Sequence, residues 1–114
     1  MPNHLCHFEI GCRDAHKAGK FYSELFAWKL EQKGSELMLR TGTDVGGHIG
    51  SPGHEGRNYT IFYVMVDDVP TSVKKAVALG GKEVTPPTDI PGGEYAWIAD
   101  PEGNMIGLYQ NRQA

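Results

Sequence analysis

Positive charge and long hydrophobic runs are both scarce in this sequence. Its 11 Lys and Arg residues are outnumbered by 14 Asp and Glu residues, and the net charge of −3 gives no field that attracts a nucleic-acid backbone. No apolar run approaches the roughly 20 residues that a bilayer-spanning helix needs. The start Met-Pro-Asn-His lacks the basic and apolar regions of a secretory signal. We therefore expect a cytoplasmic protein that binds neither nucleic acid nor membrane.

Cysteines and the motifs of several enzyme classes are also sparse. In an extended segment Cys6 and Cys12 lie about 20 Å apart, at about 3.3 Å per residue, which is beyond the reach of a disulfide. The sequence has no Gly-x-Ser-x-Gly nucleophile elbow, no phosphate-binding P-loop and no Gly-x-Gly-x-x-Gly after a strand. Serine-hydrolase and nucleotide-binding functions therefore have no motif to support them.

What the sequence does have is an internal repeat within a single domain of 114 residues. A shift of 54 residues places Asp14, the predicted N-cap of the first helix, on Asp68. A slightly larger shift places Gly46–Gly50 over Gly103–Gly107. The repeat predicts module one at residues 1–50, a connector at 51–58 and module two at 59–114.

Hydrophobic periodicity predicts a strand, a helix and three further strands in each module. In module one these are expected at His4–Ile10, Asp14–Phe26, Trp28–Glu31, Glu36–Arg40 and Gly46–Gly50. In module two they are expected at Tyr59–Val66, 67–79, Lys82–Thr85, Glu94–Asp100 and Asn104–Tyr109. A loop is predicted between Pro86-Pro87 and Pro91-Gly92-Gly93. Leu37 and Leu39 are expected to face the core.

Several segments together resemble the vicinal oxygen chelate superfamily. They are His7-Phe-Glu-Ile, Phe21-Tyr22, Val66-Asp67-Asp68-Val69 and Asp100-Pro101-Glu102-Gly103-Asn104. The superfamily includes glyoxalase I, the bleomycin- and fosfomycin-resistance proteins and the extradiol dioxygenases. The resemblance implies an α+β fold in which two βαβββ modules form a curved mixed sheet around a cavity. It also implies a homodimer and a small-molecule ligand.

The resemblance also implies where a metal ion is held, on the first and last strand of each module. Carried onto this chain, the four ligand positions are His7, Gly50, Ile61 and Gly107. Only His7 has a side chain that donates to a divalent ion. We therefore predict that the usual metal site is degenerate and that no cofactor is needed. Lactoylglutathione lyase activity is not expected, because it depends on a metal ion and a ligating carboxylate base.

A shifted metal site is the alternative that the residues leave open. Side chains two apart on a strand share a face, so Glu9 lies beside His7 and His48 lies beside Gly50. Two histidines and a carboxylate suit a divalent transition metal. A lyase, isomerase or dioxygenase would then use His7, Glu9 and His48, and His7 and Glu9 are the candidate catalytic residues in either case.

The same alternation predicts an aromatic, mostly apolar cavity that binds a small organic molecule. Trp97 is expected at its mouth, and Gly50 and Gly107 are expected to widen its floor. The predicted ligand-binding residues are His7, His48, Gly50, Ile61, Tyr63, Trp97, Met105, Gly107 and Tyr109. A second alternative is a drug-binding, resistance-type protein without turnover.

Overall fold

The computed structural model describes residues 3–33, 36–50 and 58–112. This part of the chain holds eight strands and two helices. In chain order they are β1 (Leu5–Gly11), α1 (Ala15–Phe26), β2 (Lys29–Lys33), β3 (Glu36–Arg40), β4 (Gly46–Ile49), β5 (Tyr59–Met65), α2 (Val69–Ala78), β6 (Lys82–Ile90), β7 (Gly93–Ala99) and β8 (Met105–Asn111). The predicted α+β class, with its two βαβββ modules, is confirmed.

The chain divides into two compact units, and each contains one helix and a run of four neighbouring strands of an eight-stranded mixed sheet. The first unit is Cys6–Ile61. Its strands lie in the order β2-β3-β4-β1, with β1 parallel to β4 and the other neighbours antiparallel. Leu37, Leu39 and Ile49 form a buried core, and side chains from β1, α1 and β2 pack against it. Leu37 and Leu39 therefore face the core as predicted.

The second unit is Phe62–Ala114 together with Met1–Leu5. Its strands lie in the order β5-β8-β7-β6, with β5 parallel to β8 and the other neighbours antiparallel. Its buried core joins α2 to one face of the sheet through Val66, Val69, Val73, Ala96 and Leu108. The side chains that alternate with these strand residues lie on the opposite face of the sheet.

Both helices begin where the sequence predicts, because an aspartate caps each first turn. The carboxylate of Asp14 accepts from the backbone N–H of Lys17 at 3.0 Å, and that of Asp68 accepts from the N–H of Thr71 at 3.0 Å. Helix α1 ends at Ala27, a non-glycine residue in the left-handed region with φ of 59°. No helix among the described residues is long and apolar enough to span a membrane.

The structure differs from the prediction most clearly in module two. Strand β6 runs from Lys82 to Ile90, whereas the sequence predicts a strand that ends at Thr85 and a loop that begins at Pro86-Pro87. The prolines are accommodated because β6 is the last strand in the order of its unit and its pairing with β7 is irregular there. The other strands begin and end within two residues of prediction. Residues 51–57 of the predicted connector lie outside the described part of the chain.

Candidate functional site

Two histidines of the first unit are brought into direct contact by the pairing of β1 with β4. Glu9 lies opposite His48 in this parallel pair, and His7 shares the face of Glu9 because it is two residues away. Nε2 of His7 lies 2.6 Å from Nδ1 of His48, a hydrogen-bond distance, and the ring centroids are 4.7 Å apart. The sequence left the convergence of His7, Glu9 and His48 open as an alternative, and the structure places the three side chains close together on this face.

Glu9 extends this contact into a chain of four polar side chains. It is only 4% exposed, and its Oε2 accepts a hydrogen bond from the hydroxyl of Tyr59. Its other oxygen lies 3.9 Å from Nε2 of His48, which is ion-pair distance rather than hydrogen-bond distance. The four side chains therefore contact one another in the order Tyr59, Glu9, His48 and His7.

The sequence predicts Tyr59 as the start of a strand but gives it no role with Glu9. The signal that points to the contact is Gly11, two residues after Glu9 on the same strand. A Cβ at Gly11 would lie 2.1–2.5 Å from the ring of Tyr59, so the close approach of the ring requires a glycine there.

The pair of imidazoles has a consequence for charge. Burial, and to a smaller extent the neighbouring His48, lowers the pKa of His7 from 6.5 to about 4. His7 is therefore neutral at neutral pH and takes part as one hydrogen-bond donor and one acceptor rather than as a cation.

The strand registers differ from the predicted overlay of Gly50 on Gly107. Strands β1 and β5 are related by a shift of 54 residues, from Leu5 to Tyr59, so Glu9 corresponds to Tyr63. Glu9 pairs with His48 and Tyr63 pairs with Gly107, so His48 is the counterpart of Gly107. Gly50 lies beyond the end of β4, where its N–H donates to the carbonyl of Ile10 at 2.9 Å.

The space at Gly107 is filled by aromatic side chains of the second unit. Gly107 pairs with Tyr63 on one side and with Trp97 on the other. A Cβ there would lie 2.3–2.8 Å from three ring atoms of Tyr63. The indole N–H of Trp97 donates to the hydroxyl of Tyr63 at 2.7 Å. Gly107 therefore does not widen a cavity floor, because the ring of Tyr63 occupies that space.

Trp97 is 1% exposed, so its predicted place at a cavity mouth is wrong. Its ring is a buried partner of Tyr63, which is itself 7% exposed. The remaining predicted binding residues of β8, Met105 and Tyr109, are half-buried and share the face of Gly107. Ile61 of β5 is 4% exposed.

Two of the positions at which the resemblance implies metal ligands carry residues without a donor side chain. With the register of the strands, the implied positions are His7, His48, Ile61 and Gly107, and the last two have no side-chain donor atom. The two imidazole nitrogens are 2.6 Å apart, closer than the roughly 3 Å or more that separates nitrogens bound to one ion at about 2.1 Å each. No group of three or more His, Cys, Asp or Glu among the described residues is placed to hold a metal ion.

Comparisons with known proteins agree with this fold. The model of the glyoxalase-like domain family matches residues 7–109. A protein of Vibrio cholerae named "Probable lactoylglutathione lyase" is 29% identical over 132 aligned positions, which cover 100% of this chain and 96% of that protein. "Putative glyoxylase CFP32" of Mycobacterium tuberculosis is 37% identical over 73 residues, which cover 62% of this chain. The match spans only 28% of that relative's length.

Solved structures show the same fold at low sequence identity. A hypothetical protein of Bacillus halodurans superposes with a TM-score of 0.72 at 15% identity, covering 98% of this chain and 96% of that one. Methylmalonyl-CoA epimerase of Mycobacterium tuberculosis superposes with a TM-score of 0.65 at 15% identity, covering 96% of this chain and 88% of that one. With the family model matching nearly its whole length, this chain belongs to the glyoxalase-like domain family of the vicinal oxygen chelate superfamily.

Proposed function

We propose that the protein binds a small organic molecule on the face of β1 and β4 that carries His7, Glu9 and His48, without the metal ion that many relatives use. The observation that carries the proposal is the hydrogen-bonded pair of His7 and His48 next to the buried carboxylate of Glu9. Burying ionisable groups costs free energy that apolar side chains would not. Such clusters are concentrated at functional sites.

Within this site His7 and Glu9 are the groups we propose to act on the bound molecule. His7 is half-buried and neutral, so it can accept or donate a hydrogen bond without a charged imidazole having to be desolvated. Ligand contacts by Gly50, Ile61, Tyr63, Met105, Gly107 and Tyr109 stay predictions. Trp97 and Tyr63 contact each other in the second unit, and this contact is a sufficient reason for both side chains to be buried.

A ligand screen tests the proposal. Thermal shifts of the purified protein with a library of small organic molecules should give hits that are lost in His7→Ala and His48→Ala. The same hits should be retained in His16→Ala, because His16 is exposed on α1. A screen whose hits are all retained by His7→Ala contradicts the proposed site. Hits that are never turned over favour the resistance-type alternative, in which the protein sequesters its ligand.

We also propose that lactoylglutathione lyase is not the activity of this protein, although a relative carries that name. The side chains of Ile61 and Gly107 cannot ligate an ion, and the lyase reaction in this family depends on one. Isomerisation of the hemithioacetal of methylglyoxal and glutathione should stay at background when Zn²⁺, Ni²⁺, Mn²⁺ or Mg²⁺ is added. Robust turnover with any of these ions contradicts this part of the proposal.

The rival to a metal-free site is a metal-dependent lyase, isomerase or dioxygenase that uses His7, Glu9 and His48. It needs the two imidazoles to move apart so that an ion can take the place of their hydrogen bond. Metal analysis decides between the two. One equivalent of a divalent ion on the purified protein, lost in the His7→Ala His48→Ala variant, establishes the rival, and its absence from both proteins supports the metal-free site.

Assembly and location belong to the same proposal. We expect a homodimer, as the superfamily resemblance implies, and light scattering after size-exclusion chromatography measures it directly. A mass near the 12.5 kDa of one chain contradicts that expectation. A cytoplasmic location stays a prediction.

A further inference from the structure

We infer that two copies of this chain associate through the exposed end of helix α1, here called the α1 face. The α1 face is defined by Lys20, Phe21, Glu24, Leu25 and Phe26, and all five residues are exposed. This choice of surface rests on the homodimer proposed above and adds which side chains the two copies share.

The α1 face exposes large apolar side chains that a folded chain normally buries. Phe21 and Leu25 are each 59% exposed, and Phe26 is 52% exposed. Phe21 and Leu25 are four residues apart and are therefore neighbours on the surface of the helix, and Phe26 follows directly. Contiguous apolar patches mark interaction surfaces, and aromatic side chains are enriched at the centres of protein interfaces. The exposed end of α1 therefore has the composition of an interface centre.

Half-buried rings hold the two exposed phenylalanines in place. The ring of Tyr22 meets that of Phe21 edge-on, with the centroids 5.2 Å apart, and stacks with that of Phe26 at 6.5 Å. Trp28 stacks with Tyr22 at 6.2 Å and contacts Phe26 at 4.9 Å. Because these contacts already restrict the phenylalanine side chains in one copy, association would cost less conformational entropy than ordering free side chains.

A row of charges beside the apolar side chains favours a second copy of this chain as the partner. Lys20 and Glu24 form an ion pair at 3.7 Å, and their side chains are 76% and 69% exposed. In a two-fold symmetric dimer, residue i of one copy meets residue j of the other, and j meets i. If two antiparallel α1 helices meet with the axis at the level of Tyr22, each Lys20 faces the Glu24 of the other copy. The two Phe21 side chains then lie together beside the axis, so the α1 face is complementary to itself in charge and in apolar contact.

The size of the α1 face predicts a dimer that dissociates on dilution. Because an aromatic side chain offers about 150–250 Å², the exposed parts of Phe21, Leu25 and Phe26 amount to roughly 300 Å² per copy. A stable interface buries about 800 Å² per partner, so polar side chains around this apolar centre must supply the remainder. The charged row is therefore expected to contribute to affinity and to fix the antiparallel orientation.

Charge reversal tests this arrangement by sedimentation equilibrium. Lys20→Glu and Glu24→Lys each bring like charges together at two places in the dimer, so the dissociation constant of either variant should rise about tenfold. An equimolar mixture of the two variants should recover the wild-type affinity as a heterodimer, because opposite charges then face each other at both places. Lys74→Glu, at an exposed position of α2, makes the same charge change and should leave the dissociation constant unaltered. A mixture that associates no better than either variant alone overturns the inference.

The apolar centre is tested in the same way with Phe21→Gln. This variant should be monomeric at concentrations at which the wild type is dimeric, and it should still fold because more than half of the Phe21 side chain is exposed. Leu79→Gln is the matched control, since Leu79 is 71% exposed at the end of α2, and it should stay dimeric. A wild-type dimer that persists in Phe21→Gln contradicts the α1 face alone. A wild-type mass near 12.5 kDa at every concentration contradicts the homodimer itself, and the α1 face with it.

Discussion

Adding a single methyl group at Gly107 should destabilise the second unit, and the reason is the ring of Tyr63. In Gly107→Ala the new Cβ would lie 2.3 Å, 2.4 Å and 2.8 Å from three ring atoms of Tyr63. One of these is the ring atom nearest the backbone, so a small rotation of the ring cannot clear the contact. The ring is also held at its other end, where its hydroxyl accepts from the indole N–H of Trp97 at 2.7 Å.

The cost follows from these contacts. Tyr63 is 7% exposed and Trp97 is 1% exposed, so neither ring can move into solvent. Overpacking of this kind typically costs about 1–3 kcal/mol of unfolding free energy. We expect a value in the upper half of that range, because the backbone of β8 is held by pairing with strands on both sides. For a domain of this size the loss lowers Tm by several degrees.

Urea unfolding followed by tryptophan fluorescence measures the change. Gly46→Ala is the matched control, because Gly46 is also a strand glycine and its new Cβ meets a single carbonyl oxygen at 3.3 Å. Gly46→Ala should cost clearly less than Gly107→Ala. If the free energy of unfolding of Gly107→Ala lies within about 0.5 kcal/mol of the wild-type value, the expected clash with Tyr63 is refuted, since changes this small are typical of surface substitutions.

Three further predictions concern charge and backbone geometry. The pKa of His7 is about 4 in the folded protein against an ordinary 6.5, so between these pH values the unfolded state binds more protons than the folded state. The folded state is therefore not penalised by His7 above pH 6.5. As the pH falls from 6.5 toward 4, protonation of His7 in the unfolded state lowers the free energy of unfolding by up to about 3 kcal/mol. Urea unfolding measures this. The free energy of unfolding should change less between pH 7 and pH 4.5 in His7→Ala than in His16→Ala, and an equal change in the two variants would contradict the lowered pKa of His7. Ala27→Gly should raise the free energy of unfolding by about 1 kcal/mol, because Ala27 has a φ of 59° that costs an L-residue about that much. In contrast, Ala18→Gly inside α1 should lower the free energy of unfolding by a similar amount. Arg112→Met should lower Tm more than Asp89→Asn. The reason is that Arg112 contacts the largely buried Glu94 at 2.7 Å, whereas the side chain of Asp89 is 73% exposed. The reverse order of the two Tm values in a thermal scan would contradict a stabilising contact between Arg112 and Glu94.

Much of the fold could be predicted because its signals are local. The N-cap aspartates, the helical spacing of apolar residues and the alternation at Leu37 and Leu39 each act over a few residues, and the structure follows them. The sequence predicts a shorter β6 because a pair of prolines is typical of a strand end, whereas a strand that pairs on one side only tolerates a missing N–H.

The candidate site was predicted in part, and the errors have a common cause. The alternation of β1 placed His7 and Glu9 on one face, and the same argument brought in His48. Matching glycines at 50 and 107 then gave a shift that the strand pairing does not support, since hydrogen-bond register and not residue identity relates the two modules. The contact of Glu9 with Tyr59 joins residues 50 positions apart, and the filling of Gly107 by Tyr63 joins residues from different strands. No local pattern encodes either contact.

The two prolines of β6 have a consequence for how this protein behaves at high concentration. An outermost strand normally displays a row of backbone donors and acceptors on which a strand of another molecule can assemble. Pro86 and Pro87 remove two successive N–H groups, one of which would point toward the open edge, and the register shifts between Glu83 and Thr88 distort the ladder beside them. We therefore expect intermolecular growth of the sheet at this strand to be disfavoured, and replacing both prolines with threonine to promote aggregation even if the folded chain is unchanged.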